Sequence, residues 1–189
     1  CYKDLDLSGQ GSLQDYRSNS KTYVLIGCGA DKNDVAGQVR AEDLYSSSYF
    51  QKKQRFSEEL GDKSFIVSAK FGLIHPETVI WHYDVSIDDV DNDEWLDVVE
   101  ENLESWPQWE SQDELWVLVG KSYLDAESSD GRSLRSLLNQ AAPDVYYPFE
   151  QTSGIGEQQE YLDRAVEYGE PVMPYTLDLE GQTGLDSWG

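Results

Sequence analysis

Three apolar runs, each ending in small residues that are closely followed by lysine, constrain the fold of this chain most strongly. The runs are 22–28 (TYVLIGC), 63–69 (KSFIVSA) and 114–120 (ELWVLVG). Continuous β-prone runs of this length are typical of strands that are covered on both faces of a parallel sheet. A fourth run, 144–149 (DVYYPF), predicts a less regular strand because Pro148 interrupts it.

Helical patterns separate these strands and predict an α/β fold. We expect a three-layer sandwich, with a four-stranded parallel sheet, helices on both faces and right-handed connections. The α/β domain is predicted to cover residues 21–169, with a polar N-terminal arm at 1–20, a long loop at 70–90 and a C-terminal tail at 170–189. Apolar residues recur at helical spacing in segments 46–61, 91–106, 128–142 and 154–169.

The composition is strongly acidic and indicates adaptation to high salt. The chain has 37 Asp and Glu residues against 14 Lys and Arg, which gives a formal net charge of −23 over 189 residues. This balance does not exclude nucleic acid as a partner, because locally placed Lys and Arg make phosphate contacts. No run of 18 apolar residues is present, so we expect no membrane span. Cys1 and Cys28 form no disulfide framework, which favours a reduced, cytoplasmic protein, although Cys1 as the first residue leaves a processed lipoprotein open.

The lysines that follow the three apolar runs predict a site for an anion. They are Lys32, Lys70 and Lys121. Because the carboxyl ends of parallel strands line the crevice where ligands bind, we expect the three ammonium groups to share one opening. Lys121 lies between Gly120 and Ser122, so backbone N–H groups, an ammonium and a hydroxyl are available to a phosphate or carboxylate there. The spacing of a P-loop is absent.

Cys28 is the candidate nucleophile. It lies between Gly27 and Gly29, four residues before Lys32. Glycines allow a ligand to approach the backbone, and a neighbouring ammonium favours the reactive thiolate. The alternative is a small buried strand residue, because free cysteine is among the most buried residue types.

The segment 75–84 contains both histidines and several aromatic residues. Asp84 is a candidate general base, and Trp81, His82 and Tyr83 are candidates for binding or stacking on a flat ring. The alternative is an ordered loop that is held by aromatic burial. The histidine spacing matches no zinc template, so we predict no metal site.

Gly154 and Gly156 open the last predicted helix. A helix N-terminus flanked by glycines can bind an anion through exposed N–H groups, and a tight turn explains the glycines equally well.

An ordered set of motifs resembles a domain-of-unknown-function family that occurs in microbes and their viruses. The resemblance covers about residues 22–165. The motifs are Cys28-x3-Lys32, Asp43-Leu44-Tyr45-Ser46 with Phe50, Ser68-Ala69-Lys70-x-Gly72-Leu73, Tyr83-Asp84-Val85 and Gly154-Ile155-Gly156-Glu157-Gln158.

A more distant similarity is to the core domain of archaeosine synthase, an enzyme that modifies a 7-deazaguanine nitrile in tRNA. Gly27 stands where that family has proline, Asn33 replaces the Pro-Tyr that follows its lysine, and its histidine has no counterpart here. The similarity implies a related base-binding pocket and an architecture similar to that of uracil-DNA glycosylases. The residues that fit its motif positions are Cys28, Lys32, Gly72, Leu73, Tyr83 and Asp84.

We therefore expect a nucleotide- or nucleobase-binding enzyme that acts on a base or its glycosidic bond in nucleic acid. Cys28, Asp84 and Lys70 are the predicted catalytic residues, and no cofactor is identified. The predicted ligand-binding residues are Gly27, Gly29, Lys32, Gly72, Trp81, His82, Tyr83, Lys121, Ser122, Gly154 and Gly156.

Two other functions remain open from the sequence. One is a non-catalytic binding or structural module of a viral or cellular assembly, with protein partners bound through the N-terminal arm or the C-terminal tail. The other is a hydrolase or transferase for a small anionic metabolite, which would use the same lysines without affinity for oligonucleotides.

Overall fold

A computed structural model describes residues 20–29, 31–106 and 108–177. These residues form a five-stranded sheet, a separate two-stranded ribbon, six α-helices and three short 3₁₀ turns. The strands are β1 (Thr22–Gly27), β2 (Gln38–Arg40), β3 (Lys63–Ser68), β4 (Gly72–Ile74), β5 (Val79–Trp81), β6 (Glu114–Leu118) and β7 (Asp144–Tyr146). The helices are α1 (Ala41–Leu44), α2 (Ser48–Leu60), α3 (Asn92–Glu104), α4 (Lys121–Leu124), α5 (Leu134–Ala141) and α6 (Ile155–Tyr168), and the 3₁₀ turns are Ile87–Asp89, Pro148–Gln151 and Pro174–Leu177.

The sheet confirms the α/β class and corrects the strand count. Its order is β4-β3-β1-β6-β7, and the four predicted strands β1, β3, β6 and β7 pair in parallel. The fifth strand, β4, pairs antiparallel with β3. The segment 70–90 is therefore not one long loop, since it contains β4, β5 and a 3₁₀ turn. Strands of three residues carry too little alternation to be recognised in a sequence.

Alternate residues of β1 serve two separate cores, which explains its continuous apolar character. Tyr23 and Leu25 pack in the core that includes residues of α3 and α5, while Val24 and Ile26 pack in the core on the opposite face with residues of α2 and α6. All four side chains are at most 1% exposed. The helices therefore cover both faces of the sheet, as expected for a parallel arrangement.

Side-chain caps fix the helix starts close to the predicted positions. The Ser47 hydroxyl accepts from the Phe50 N–H at the start of α2, and the Asp91 carboxylate accepts from the Glu94 N–H at the start of α3. The third predicted helix, 128–142, is shorter than expected and begins at Leu134. Residues 128–132 instead form a turn in which the Ser128 N–H donates to the Arg132 carbonyl at 2.9 Å.

The chain changes direction across the sheet beside β1. It runs from β1 to β3 on one side and later returns to β6 on the other side of β1. The segments that leave the carboxyl ends of β1 and β6 therefore separate, and such a switch point is where open α/β sheets form their ligand crevice.

Part of the predicted tail packs on the domain. The Tyr161 hydroxyl of α6 donates to the Val172 carbonyl at 2.9 Å, and Leu177 is buried in the same core. The remainder of the tail, 178–189, and residues 1–19 of the predicted arm lie outside the described residues. Within the described ranges, no helix has the length and apolar character needed to cross a membrane.

The Gly72 position yields a prediction about stability. Gly72 has a φ of +68°, and a Cβ there would overlap the Asn102 Oδ1 atom of α3. We expect Gly72→Ala to lower the free energy of unfolding by about 3 kcal/mol, because backbone strain and steric overlap add. Urea unfolding followed by tryptophan fluorescence measures the loss.

Gly131→Ala is the matched control for this prediction. Gly131 also has a positive φ, +84°, but no atom lies within 4 Å of the Cβ position. It isolates the backbone cost, about 1 kcal/mol. Equal losses in the two variants would contradict the proposed overlap with α3.

Candidate functional site

Cys28 lies at the carboxyl end of β1, beside a group of hydroxyls from four other parts of the chain. Its N–H donates to the Val67 carbonyl of β3 at 3.0 Å, which extends the sheet pairing by one residue. Its sulfur lies 3.1 Å from the hydroxyl oxygen of Tyr123, a residue of α4. The thiol is partly exposed. Partial exposure beside polar groups is typical of a reactive cysteine.

A chain of three hydroxyls lies next to Cys28. The Tyr45 and Tyr83 hydroxyl oxygens are 2.6 Å apart, and the Tyr83 oxygen is 2.8 Å from the Ser68 Oγ at the end of β3. The Ser68 Oγ also accepts from the N–H groups of Lys70 and Phe71. The three hydroxyl groups have three protons, and the two hydrogen bonds between them use two. The third proton can be donated to the sulfur or to a ligand. We call Cys28, Tyr45, Ser68, Tyr83 and Tyr123 the cysteine–tyrosine cluster.

The phenols of this cluster stay protonated at neutral pH. Burial, followed by the proximity of the Cys28 sulfur, raises the pKa of Tyr83 to about 12. The same two causes raise the pKa of Tyr45 and of Tyr123 well above the usual range. The cluster therefore presents neutral O–H donors, and a developing negative charge would be stabilised by them.

Two of the three predicted lysines meet at the Tyr83 ring. The Lys32 ammonium lies 4.6 Å from the ring centroid, and the Lys70 ammonium lies 6.0 Å from it. Lys32 is held by a β-bridge to Tyr45. Both distances are within the range of a cation–π contact. The predicted convergence of ammonium groups is thus seen for Lys32 and Lys70, while Lys121 lines an adjoining cavity.

Lys53 of α2 is a buried cation that the sequence reading missed. Its side chain is 4% exposed, and its ammonium donates to the Gly27 carbonyl at 2.6 Å. Burial lowers the pKa of Lys53 to about 8, and the Cys28 sulfur partly offsets that effect. A signal was present in the sequence, because Lys53 falls between Phe50 and Phe56 on the apolar stripe of the helix.

A cavity of about 230 Å³ opens at the carboxyl end of β6. It adjoins the β1 terminus, because a Cβ at Gly27 would lie 3.6 Å from the Cα of Val119 in the cavity wall. The Tyr49 hydroxyl, whose ring lies 4.6 Å from the Lys53 ammonium, donates to the Gln158 side chain in the same wall. The lining is Val117, Val119, Gly120, Lys121, Leu124, Tyr147, Phe149, Glu150, Thr152, Ser153, Gly154 and Gln158.

The predicted glycines occupy different surroundings. Gly27 lies between Lys53 and Val119, and a Cβ at Gly29 would lie 3.1 Å from the Ser47 Oγ. Gly72 pairs with Ser68 of the cluster across the β3–β4 ladder, and its Cβ position faces α3. Gly154 lines the cavity. Gly156 is exposed, and no atom within the described residues lies within 4 Å of its Cβ position.

The other predicted site residues lie on the surface. Trp81 is 60% exposed, and His82 and Asp84 are exposed as well. Within the described ranges, none of the three makes a hydrogen bond, ion pair or ring contact with the cluster. Ser122 lines a second, more open pocket together with Asp88 and Asp125. No group of three or more potential metal ligands occurs among the residues that the structure describes.

Comparisons with known proteins give a family without an assigned activity. The model of a family described as of unknown function, DUF6884, matches residues 23–164. The uncharacterized protein YfjM of Bacillus subtilis (strain 168) is 31% identical over 155 residues, which cover 78% of this chain and 96% of that protein. No solved structure matches the chain.

The buried ammonium predicts a pH dependence of stability. Because the pKa of Lys53 is about 8 in the folded chain against an ordinary 10.5, the unfolded chain binds more protons between these two values. The charged side chain therefore lowers stability by about 3 kcal/mol below pH 8, and this penalty disappears as the pH rises to 10.5.

We expect Lys53→Met to be more stable than the wild type near neutral pH, with the difference shrinking toward alkaline pH. Urea unfolding of both proteins at several pH values measures this difference. Lys52→Met, which removes a more exposed lysine of the same helix paired with Asp163, should show no such trend. A difference that grows with pH would have the wrong sign.

The hydroxyl chain predicts an order of destabilisation. Tyr83→Phe removes the central hydroxyl and leaves both Tyr45 and Ser68 without it, so we expect a loss of about 2 kcal/mol in the free energy of unfolding. Tyr45→Phe removes a terminal hydroxyl and should cost about 1 kcal/mol. Urea unfolding measures both, and a larger loss for Tyr45→Phe would contradict the assigned order.

Proposed function

This chain belongs to the DUF6884 family of unknown function, and we propose that it is an enzyme that binds a nucleotide or nucleobase and reacts with it through Cys28. The observation that carries the proposal is the surroundings of this partly exposed thiol. Its sulfur lies 3.1 Å from the Tyr123 hydroxyl, and a buried ammonium bonds to the preceding carbonyl. A cysteine nucleophile needs both a nearby cation and donors for the charge that develops on its substrate.

The exposed lysines support an anionic substrate. Lys32 and Lys70 lie over Tyr83 next to Cys28, and Lys121 lines the adjoining cavity. None of the three forms an ion pair with a described carboxylate, in a chain with 37 acidic residues. In this proposal they bind phosphate, which requires locally placed cations rather than a basic protein.

The adjoining cavity supports a flat, aromatic substrate group. Tyr147 and Phe149 contribute aromatic wall, while Thr152, Ser153 and Gln158 contribute polar groups. Apolar walls with a few polar groups are the usual composition of a small-molecule site. The similarity of Cys28, Lys32, Tyr83 and Asp84 to archaeosine synthase motifs is the reason for proposing a base of the 7-deazaguanine type.

The proposed chemistry uses the thiol and the phenols together. The Cys28 thiolate adds to the carbon of a carbon–nitrogen multiple bond of the base, and a C–S bond forms while one π pair moves to nitrogen. That nitrogen takes a proton from the phenol of Tyr83 or Tyr123, which solvent later replaces. Asp84, exposed one residue after Tyr83, is proposed as the base that takes a proton from water while the water oxygen adds to the same carbon. The C–S bond then breaks, its electron pair returns to sulfur as the Cys28 thiolate, and Asp84 loses its proton to solvent.

Incubation of the full chain with RNA and DNA oligonucleotides tests this proposal. The oligonucleotides carry normal, 7-deazaguanine or nitrile-bearing 7-deazaguanine bases, and the work is done at molar salt because the acidic composition indicates adaptation to it. Mass analysis of the bases and of the intact protein is the measurement. We expect a changed base or a covalent adduct on the wild-type chain.

Two variants make the test specific. Cys28→Ser should abolish the change and the adduct while retaining binding, and Ser111→Ala, at an exposed turn before the amino end of β6, should behave like the wild type. The proposal would be overturned if the chain neither bound nor changed any of the bases. Full activity in Cys28→Ser would overturn it as well.

A non-catalytic binding module is the second candidate, favoured by exposed apolar side chains on the ribbon. Val79 and Trp81 lie two residues apart on the same face of β5 and are 57% and 60% exposed, and neighbouring exposed apolar side chains can form a partner surface. The same experiment separates the candidates. Oligonucleotide or protein binding that is unchanged in Cys28→Ser, without any product in the wild type, supports the module.

A further inference from the structure

We infer that Lys53 is the charge partner of Cys28, a positioning residue whose buried ammonium stabilises negative charge on the sulfur. This inference rests on the proposed role of Cys28 as a nucleophile and adds a residue to that site. Lys53 was not among the residues that the sequence indicated. It reaches the site from α2, on the opposite side of the β1 terminus from Tyr123.

Lys53 lacks a carboxylate partner among the described residues. The residue is 4% exposed, and its ammonium donates to one acceptor in the described ranges, the Gly27 carbonyl at 2.6 Å. No Asp or Glu of the described ranges forms an ion pair with it, whereas its neighbour Lys52 pairs with Asp163. A buried charge without a counter-charge is strongly unfavourable.

Aromatic contacts compensate only part of this cost. The ammonium lies 4.6 Å from the Tyr49 ring centroid and 5.9 Å from that of Phe50. Cation–π contacts of this kind stabilise a buried ammonium by less than its desolvation costs. A buried ammonium is therefore expected to have an anion nearby.

The anion follows by elimination among the titratable groups around the pair. The phenols are Tyr49 of α2, Tyr123 of α4, Tyr45 and Tyr83, and Lys32 and Lys70 are further cations at the Tyr83 ring. Burial raises the pKa of all four phenols, so they carry no charge at neutral pH. Cys28 is the remaining group of this set that can become an anion.

The geometry agrees with this assignment. Lys53 bonds to the carbonyl of Gly27, the residue immediately before Cys28, so its ammonium is fixed at the peptide group from which the thiol extends. A Cβ at Gly27 would lie 3.5 Å from the Lys53 Nζ, at ordinary contact distance, so the ammonium packs directly against the backbone of this residue. The Tyr123 hydroxyl approaches the sulfur at 3.1 Å and can donate to a thiolate.

The pH dependence of Cys28 alkylation by iodoacetamide tests the inference. A Cys1→Ser background leaves Cys28 as the single thiol of the chain, because the sequence has 2 cysteines. We expect the rate of the parent to reach half its maximum at a lower pH than that of Lys53→Met. At about pH 6 the variant should react at least about tenfold more slowly, since the loss of a nearby charge favours the neutral thiol.

Two further variants separate charge from structure. Lys53→Arg retains a positive charge and should retain more of the reactivity at low pH than Lys53→Met, which a purely structural role would not produce. Lys52→Met should match the parent across the pH range. Superimposable profiles for the parent and Lys53→Met would overturn the inference.

A measurement on the parent protects the test against a variant that fails to fold. The ultraviolet absorbance of the thiolate is followed in the Cys1→Ser chain between about pH 5 and 9. A thiolate that is already formed at neutral pH supports the pairing, and one that forms only near the top of this range overturns it. The two proposals can fail separately. If thiolate formation depends on Lys53 but no base is bound or changed, the proposed function is overturned and the pairing of Lys53 with Cys28 still holds.

Discussion

The parallel pairing of β1 with β3 on one side and β6 on the other is the interaction on which the rest of the structure depends. Tyr23 to Gly27 pair in register with Lys63 to Val67, and Thr22 to Ile26 pair with Glu114 to Leu118. This alignment ends the three strands at one edge and places Cys28 beside Ser68 and the turn into α4. Residues separated by up to 95 positions along the chain meet there because the three strands end together.

The sequence predicted β1, β3 and β6 because each is an apolar run that is buried on both faces, and it predicted the edge strand β7 from the longer run 144–149. Lys32 and Lys70 were found from their position after two of those runs. The antiparallel β4 and the β2–β5 ribbon were not predicted because their three-residue strands do not lie within a longer apolar run. Lys53 was not predicted as a site residue for a different reason. A lysine in a helix is ordinarily read as exposed, and only the pairing of β1 with its neighbours shows that this part of α2 covers the Gly27 carbonyl.

The candidate site combines two kinds of polar group that behave oppositely on burial. Burial raises the pKa of the phenols and lowers that of the Lys53 ammonium, so both effects favour the neutral forms. The neutral phenols can still act as proton donors. The charged form of Lys53 is stabilised by the Gly27 carbonyl and two aromatic rings and, in our inference, by the thiol. The acidic character of the chain has no part in this, since none of the Asp or Glu residues within the described ranges pairs with Lys53.

The β2–β5 ribbon joins the candidate site to the outer surface. Tyr45 follows β2 and α1 along the chain, and Tyr83 follows β5. The hydrogen bond between their hydroxyls therefore joins the two segments that leave the ribbon, close to the thiol. Any molecule that parted these two oxygens would also strain the pairing of Val39 with Ile80 further out. Binding of a molecule between the two hydroxyls would thereby change the surroundings of Trp81, and the fluorescence of its indole would report that change.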